Sequence, residues 1–418
     1  MSKFIINGGK KLYGEIRAES AKNAMLPLIC ACILYEGKVT FLNCPKLKDI
    51  EIILEIIEYL GGKYSFNNDK SLTVDCSTLC DYELPINLTK KIRASVFMVG
   101  AILGRFRKVT FGLPGGCNLG ERPIDIHLDA LRALGAEIAC NEVIYCRVDN
   151  LKGNNVTLKY KSVGATESVI MASILAKGKT LINNCALEPE VTCLISLLKR
   201  FGAKISGEGT SQITVEGVEK LNKNEVVFSP ISDRIEVGTY ALSVMATGGE
   251  IEINNANFNL NLALFKKIFN NACKIGVNND KIYIKSSGFG KGLGLIKTAP
   301  YPYFPTDLQA PISAYATTLV GNTLIEETVF KDRLKHFSEL SKMGANVKVV
   351  GNKALIKGVK TLSGKDVFAY DLRGGASMII AGLKAEGATV INGAEIVDRG
   401  YFKIELKLKS LGADIVRV

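Results

Sequence analysis

The tripeptide Leu-Gly-Ala and its variants return along the chain: LGG at 60–62, LGA at 134–136, FGA at 201–203, MGA at 343–345 and LGA at 411–413, with a degenerate NAC at 271–273. Recurrence at about 70 residues marks a fold assembled from copies of one supersecondary unit. The parts around each tripeptide come in the same order. An apolar helix is read in NAMLPLICACILYEG, SVIMASILAKG, TYALSVMATGG and SMIIAGLKAEG, each closed by glycine. A strand follows, as in KVTFLNC, KTLINNC, EIEINNA and ATVINGA. A second helix then runs into the tripeptide, as in DIEIILEIIEYLGG and RGYFKIELKLKSLGA, and short strands such as KSLTVDC and SQITVEG close the repeat. The first helix of each repeat lacks a polar face and is expected to be buried, with the amphipathic helix and sheet around it. Six repeats exceed one core, so two globular halves of three repeats are expected, with the polar stretch LNKNEVVFSPISDR at 221–234 between them.

Composition narrows the class. The 418 residues are 47% hydrophobic and 22% charged, the balance of an ordinary soluble globular protein. The longest apolar run, AMLPLICACILY, spans twelve residues and holds a proline, against the ~20 residues a membrane helix needs. MSKFIINGGKK carries no apolar signal core, and eleven cysteines without regular spacing suit a reducing compartment, so a cytoplasmic location is expected. Cys76 and Cys80 are the nearest approach to a metal pair, but no second pair follows and the only histidines are His127 and His336. Neither a metal nor a cofactor is expected. The net charge of +12 suits an anionic partner, yet the lysines are scattered and tryptophan is absent. That pattern speaks against nucleic acid and leaves small acidic or phosphorylated substrates open. No membrane partner is expected.

The starts of the buried helices are polar: ESAKN, TKKIRAS, KSVGATES, SDRIE, FPTDLQ and DLRGGAS. Ser20, Ser162 and Asp371 read as helix caps. Capping does not explain Lys22, Arg93, Arg234 and Arg373, because a cation is unfavourable at the positive end of a helix dipole. Such cations make sense where an anion is shared between them and the free backbone N–H groups. Asp307 stands at the same kind of position in FPTDLQ.

One cysteine has a different setting from the rest. In TFGLPGGCNLGERPIDIH, residues 110–127, Cys117 follows Pro114, Gly115 and Gly116 and precedes Asn118, Gly120, Glu121 and Arg122. Glycines and polar residues make an exposed loop, and such a loop has no packing use for a thiol. Phosphate-loop alternatives fail on inspection. AKGKT at 176–180 has Ser173 where GxxxxGKT needs glycine, and it precedes a strand; GFGKGLG at 288–294 misses the last glycine of GxGxxG in either frame and reads as a flexible link.

Nine motifs in order resemble the enolpyruvyl transferases, and within them the branch acting on UDP-N-acetylglucosamine. They are SAKNAxLP at 20–27, PKLKD at 45–49, LPGGCxxGxRPxDxH at 113–127, SVGAT at 162–166, DRIExGT at 233–239, FPTDxQA at 304–310, ETVFxxR at 327–333, DLRxxAS at 371–377 and DRGY at 398–401. The resemblance implies a two-domain inside-out α/β barrel of six βαβαββ-type repeats, three per domain, with helices buried and sheets outward. It implies domains at 22–229 and at 1–21 with 230–418, and an active site in the cleft between them. The implied reaction moves the enolpyruvyl group of phosphoenolpyruvate onto the C3 hydroxyl of UDP-N-acetylglucosamine with release of phosphate, the first committed step of peptidoglycan synthesis.

By the same resemblance Cys117 is the loop cysteine that acts as general acid and reacts with a fosfomycin-type epoxide, and Asp307 lies at the sugar hydroxyl. Lys22, Arg122 and Arg399 match ligands of the phosphoenolpyruvate phosphate, Arg333 and Arg373 lie near its carboxylate, and Asn23 contacts both substrates. Arg93, Arg122, Pro123, Ile124, Asp125, Ile126, Lys161, Ser162, Val163, Gly164, Asp307 and Val329 match the sugar-nucleotide contacts. The chain departs from the family pattern at Ser232, where a proline is common, and at Ile396, where some relatives carry histidine. It also has Tyr160 two residues before Ser162, where lysine is common, so Lys159 and Lys161 both stand as candidates for the nucleotide. His127 reads as a residue that orients the loop from a helix start. The shikimate-phosphate branch of the family lacks the PGGC loop, and RNA cyclases of similar fold use a histidine nucleophile for which neither histidine here has a fitting context.

Overall fold

The computed structural model describes residues 2–115, 124–268 and 273–418. It divides into two compact units, one of residues up to Glu19 with Ser232–Val418, the other of the described residues between Ser20 and Ile231. Each contains three repeats of strand, buried helix, strand, amphipathic helix and hairpin.

The buried helices are Lys22–Ala31, Ser95–Phe106 and Val163–Ser173 in one unit, and Arg234–Thr247, Gln309–Ala316 and Leu372–Lys384 in the other. In Arg234–Thr247 every residue from Arg234 to Ala246 is buried, as a helix without a polar face requires. Helix Ser95–Phe106 lies directly against Val163–Ser173. Gly100 makes that approach possible: a Cβ there would fall 2.2 Å from the Ser168 carbonyl oxygen. The second helices, such as Lys48–Tyr59, Pro189–Arg200 and Ile404–Ser410, each end at the repeated tripeptide. Its glycine takes a left-handed conformation in all five intact copies, with φ of 95° at Gly61, 97° at Gly135, 98° at Gly202 and 94° at both Gly344 and Gly412. At the first copy Gly61 N–H donates to the Glu58 carbonyl and Gly62 N–H to that of Ile57, closing the last helical turn. The repeat is thus a repeated helix stop, and glycine is what the stop demands. Residues 271 and 272 of the degenerate copy lie outside the described residues.

Among the described residues the strands form six separate open sheets. In each, the strand after the buried helix pairs antiparallel with one strand of a closing pair, and four of the six sheets add a parallel strand from earlier in the chain than the helix. In the sheet of Lys108–Phe111 that strand shrinks to a bridge between Glu83 and Thr110. Both units close on themselves by long-range pairing. Val226–Phe228, inside the polar stretch at 221–234, runs parallel to Lys38–Phe41 and completes the first repeat. Lys3–Asn7 inserts antiparallel between Ala388–Asn392 and Asp414–Arg417 and completes the sixth, while Leu12–Arg17 serves the fourth beside Gly249–Asn254. GFGKGLG is tied down: Leu293 N–H donates to Thr323 Oγ1 at 2.9 Å, and Lys384 Nζ to the Gly288 carbonyl at 3.1 Å. No described helix is long and apolar enough to cross a membrane.

Among the buried acids, Glu167 is fully enclosed. It sits on Val163–Ser173, and burial together with Glu190 and Glu188 holds its carboxyl well above the usual range. The unfolded chain ionises this group near pH ~4.3 and the folded chain does not, so its contribution to stability falls as pH rises above that value. Glu167→Gln, which mimics the protonated acid, should melt increasingly above wild type as pH is raised toward about 8 and should match it near pH ~4. Thermal melts across that range check this, and a gap that does not vary with pH would mean that Glu167 is ionised in the fold.

Candidate active site

In the unit built from Ser20 to Ile231, helix starts carry most of the expected residues. Lys22 opens its helix and is buried; its Nζ lies 2.7 Å from Asp49 Oδ2, at the first turn of Lys48–Tyr59. Asn23 follows, half-buried. The cap before them is Ala21 without a side-chain bond; Ser20, expected in that role, instead donates its hydroxyl to the Leu42 carbonyl at 3.3 Å. Ser162 does cap Val163–Ser173, accepting from Ala165 N–H at 3.3 Å. Ile124, Asp125 and Ile126 lead into Asp125–Ala133, which packs on Val163–Ser173. There the His127 ring is buried against Gly164, where a Cβ would fall 3.0 Å from His127 Cε1 and 2.8 Å from Phe97 Cε1. Arg93, half-buried, stands just before Ser95–Phe106, another neighbour of that helix. Lys159 reaches out to Asp129 at 2.7 Å on the surface, while Lys161 is half-buried next to Ser162. Cys117, Arg122 and Pro123 lie outside the described residues.

In the other unit Asp307, Arg333 and Arg373 come together. Asp307 sits in the turn Thr306–Leu308 ahead of Gln309–Ala316, and Arg373 is the second residue of Leu372–Lys384. Asp307 Oδ1 accepts from Arg333 Nη2 at 2.7 Å and Oδ2 from Arg373 Nη2 at 3.0 Å. Both arginine side chains are almost fully buried, at 3% and 2% exposure, against 24% for Asp307. Burial alone would raise the Asp307 carboxyl; Arg373 and Arg333 outweigh it and hold it well below the usual carboxylate range. Arg333 also donates from Nη1 to Thr306 Oγ1 at 2.9 Å, and Thr306 donates to Glu327 Oε2 at 2.8 Å. The second Glu327 oxygen accepts from the backbone N–H groups of Val329 and Phe330, at 2.8 and 3.1 Å, which fixes the Val329 turn. Asp371 caps Leu372–Lys384, accepting from the N–H groups of Arg373 and Gly374. His336 lies behind Arg333 with Nδ1 3.2 Å from the Arg333 carbonyl oxygen, so this nitrogen carries the proton. Burial pushes its imidazole down to about 4, and it adds no charge to the cluster. Arg399 is half-buried.

Arg333 Nε and Arg373 Nε and Nη1 are buried without a hydrogen-bond acceptor among the described residues. Buried guanidinium donors left open call for an anion, and two side by side suit a planar carboxylate or a phosphate. Motif reading found the arginines and Asp307 one by one but did not foresee that they bond to one another. It also gave no role to Asp49 or Tyr401, although PKLKD and DRGY contain them.

A fold of six such repeats with an arginine-bracketed carboxylate defines the class. The chain belongs to the family of EPSP synthase (3-phosphoshikimate 1-carboxyvinyltransferase), whose model matches residues 6–408. It is 44% identical over 419 residues to a protein of Caldanaerobacter subterraneus subsp. tengcongensis named UDP-N-acetylglucosamine 1-carboxyvinyltransferase 2, with all of both chains covered. A Clostridium tetani protein of the same name is 41% identical over 420 residues, again with both chains fully covered. Among solved structures, the enolpyruvyl transferase NikO from Streptomyces tendae superposes with a TM-score of 0.90 at 22% identity, covering 100% of this chain and 99% of that one. EPSP synthase from Acinetobacter baumannii gives 0.76 at 17% identity, with both chains fully covered. At those identities the two structures speak to the fold alone.

Proposed function

We infer that the protein transfers the enolpyruvyl group of phosphoenolpyruvate to the C3 hydroxyl of UDP-N-acetylglucosamine and releases phosphate, the first committed step of peptidoglycan synthesis. The observation that carries this reading is full-length identity of 44% and 41% to enzymes named for that acceptor. The open guanidinium donors beside Asp307 are the physical counterpart on the donor side. Neither half of the reaction lacks an atom: the sugar O–H adds across the vinyl bond, then a proton leaves the new methyl group as the bond to phosphate breaks.

On this reading the phosphoenolpyruvate carboxylate takes Arg333 and Arg373 from Asp307. Losing them lets the Asp307 carboxyl return toward ordinary basicity, so that it accepts the sugar proton only once the donor is seated. Cys117 protonates the vinyl carbon. Lys22, Arg122 and Arg399 hold the phosphate, and Asn23 touches both substrates. Arg93, Pro123 to Ile126, Lys161 to Gly164 and Val329 hold the sugar nucleotide; Lys161 is preferred over Lys159, which is engaged with Asp129. The ten described cysteines are all free thiols, which supports the cytoplasm as the site of action.

The test is phosphate release from phosphoenolpyruvate, which should require UDP-N-acetylglucosamine and should not proceed with shikimate 3-phosphate in its place. Release with shikimate 3-phosphate alone would overturn the choice of acceptor. Lys22→Ala and Arg399→Ala should each weaken phosphoenolpyruvate about ten- to a hundredfold, the value of a charge-assisted contact in a closed site, and the sugar nucleotide far less. Lys22→Ala should also lower the melting temperature, because it leaves Asp49 buried with its cation removed. Equal losses for both substrates would remove these residues from the phosphate site.

A further inference from the structure

Arg373 has a second support that carries no charge. Its guanidinium lies over the ring of Tyr401, 5.2 Å from the centroid, and the Tyr401 hydroxyl lies 2.8 Å from Thr239 Oγ1. Thr239 and Tyr401 are each 1% exposed, and Arg373 2%. The three come from different segments: Thr239 from Arg234–Thr247, Arg373 from Leu372–Lys384, and Tyr401 from the chain that follows Ala394–Val397.

The direction of these bonds can be worked out. Thr239 Oγ1 lies 2.8 Å from the Ile235 carbonyl oxygen, and a carbonyl only accepts, so the single Thr239 proton is committed there. Thr239 Oγ1 must then accept from Tyr401, whose own proton is thereby committed to Thr239. The Tyr401 oxygen and the face of its ring then favour the cation electrostatically. A neutral oxygen in that place steadies Arg373 without competing for the acceptor it is to bind.

We propose that Tyr401 and Thr239 are positioning residues for the reaction, a relay of fixed polarity that keeps Arg373 in place while its partner changes from Asp307 to the phosphoenolpyruvate carboxylate. This rests on the reading that Arg373 meets that carboxylate. Thr239 touches no reacting group, so its effect has to travel through Tyr401. With Thr239→Val the Tyr401 proton loses its acceptor and turns toward the guanidinium, which it repels. Thr239→Ser keeps the hydroxyl and the relay.

The experiment is steady-state kinetics on Thr239→Val, Thr239→Ser, Tyr401→Phe, the Thr239→Val/Tyr401→Phe pair and Arg373→Ala. Thr239→Val and Tyr401→Phe should each raise KM for phosphoenolpyruvate roughly tenfold and leave KM for UDP-N-acetylglucosamine within about twofold. Thr239→Ser should recover wild-type values, and the double variant should be no worse than Tyr401→Phe alone, because one relay is broken once. Additive losses, equal losses for both substrates, or a Thr239→Ser as impaired as Thr239→Val would overturn the relay. Arg373→Ala keeps the two readings apart. If it leaves phosphoenolpyruvate binding unchanged, the carboxylate assignment fails; if it weakens binding while Thr239→Val does not, the relay fails.

Discussion

Asp307→Asn is expected to lower kcat by about 10²- to 10⁴-fold, the usual share of a general base, with a smaller change in sugar-nucleotide affinity. The amide keeps the shape of the side chain but takes no proton. It also removes the one charge that Arg333 and Arg373 share, so the substrate-free variant should lose stability, on the order of 3 kcal/mol. That is the low end for a broken buried pair, because the Asp307 side chain is 24% exposed. The wild-type carboxyl, depressed by the two arginines, adds stability above its unfolded value of ~3.9 that is lost as pH falls through the lower folded value. Asp307→Asn should therefore flatten the acid limb of the melting profile. Phosphoenolpyruvate should stabilise the variant more than wild type, since it supplies the missing anion. A variant with nearly normal kcat would leave Asp307 as a counter-ion only, and the base would then be another group or the departing phosphate itself.

Cys117→Ala should lose nearly all turnover, while Cys117→Asp should keep part of it, because a carboxylic acid also donates a proton. An epoxide of the fosfomycin type should alkylate wild type at Cys117, faster with UDP-N-acetylglucosamine present, and should leave Cys117→Asp untouched. Peptide mapping decides the point. Among the described thiols Cys80 and Cys140 are exposed and are the competitors for label; the rest are buried, and burial pushes Cys76 and Cys146 up to about 12. Label found mainly on Cys80 or Cys140 would refute the assignment.

What could be read from the residues divides by distance. The repeat, the buried helices and the caps Ser162 and Asp371 depend on neighbours within a turn or two, and a left-handed glycine or a capping oxygen leaves a local mark. Ser20 was misleading for the same reason: its hydroxyl had a distant acceptor, the Leu42 carbonyl, that no local rule contains. Asp233, in DRIE, caps Arg234–Thr247 through the N–H groups of Ile235 and Glu236. The pairing of Asp307 with Arg333 and Arg373 joins residues 26 and 66 positions apart, and the contact of Thr239 with Tyr401 spans 162. The first of these forms only once the two helices of one repeat have packed, and the other two only once different repeats have, so sequence offers the parts and not their bonds.

The strand Lys3–Asn7 has a consequence for the order of assembly. Asn7 and its hydrogen-bonded neighbour Asp414 are 407 positions apart, so at ordinary rates of translation the strand waits on the order of half a minute for that partner. The contiguous half from Ser20 to Ile231 can fold in that interval, whereas the other half is open at both its beginning and its end until the first strand has paired with the last. Lys3 and Val418 then exchange both backbone hydrogen bonds, at 2.8 and 2.9 Å. Joining those two points and cutting at the Ile231–Ser232 crossover would turn the interrupted half into an unbroken run of sequence. Its sixth sheet would become a local product of synthesis, and refolding should gain speed, because contacts made across short loops form sooner than contacts made across the whole chain.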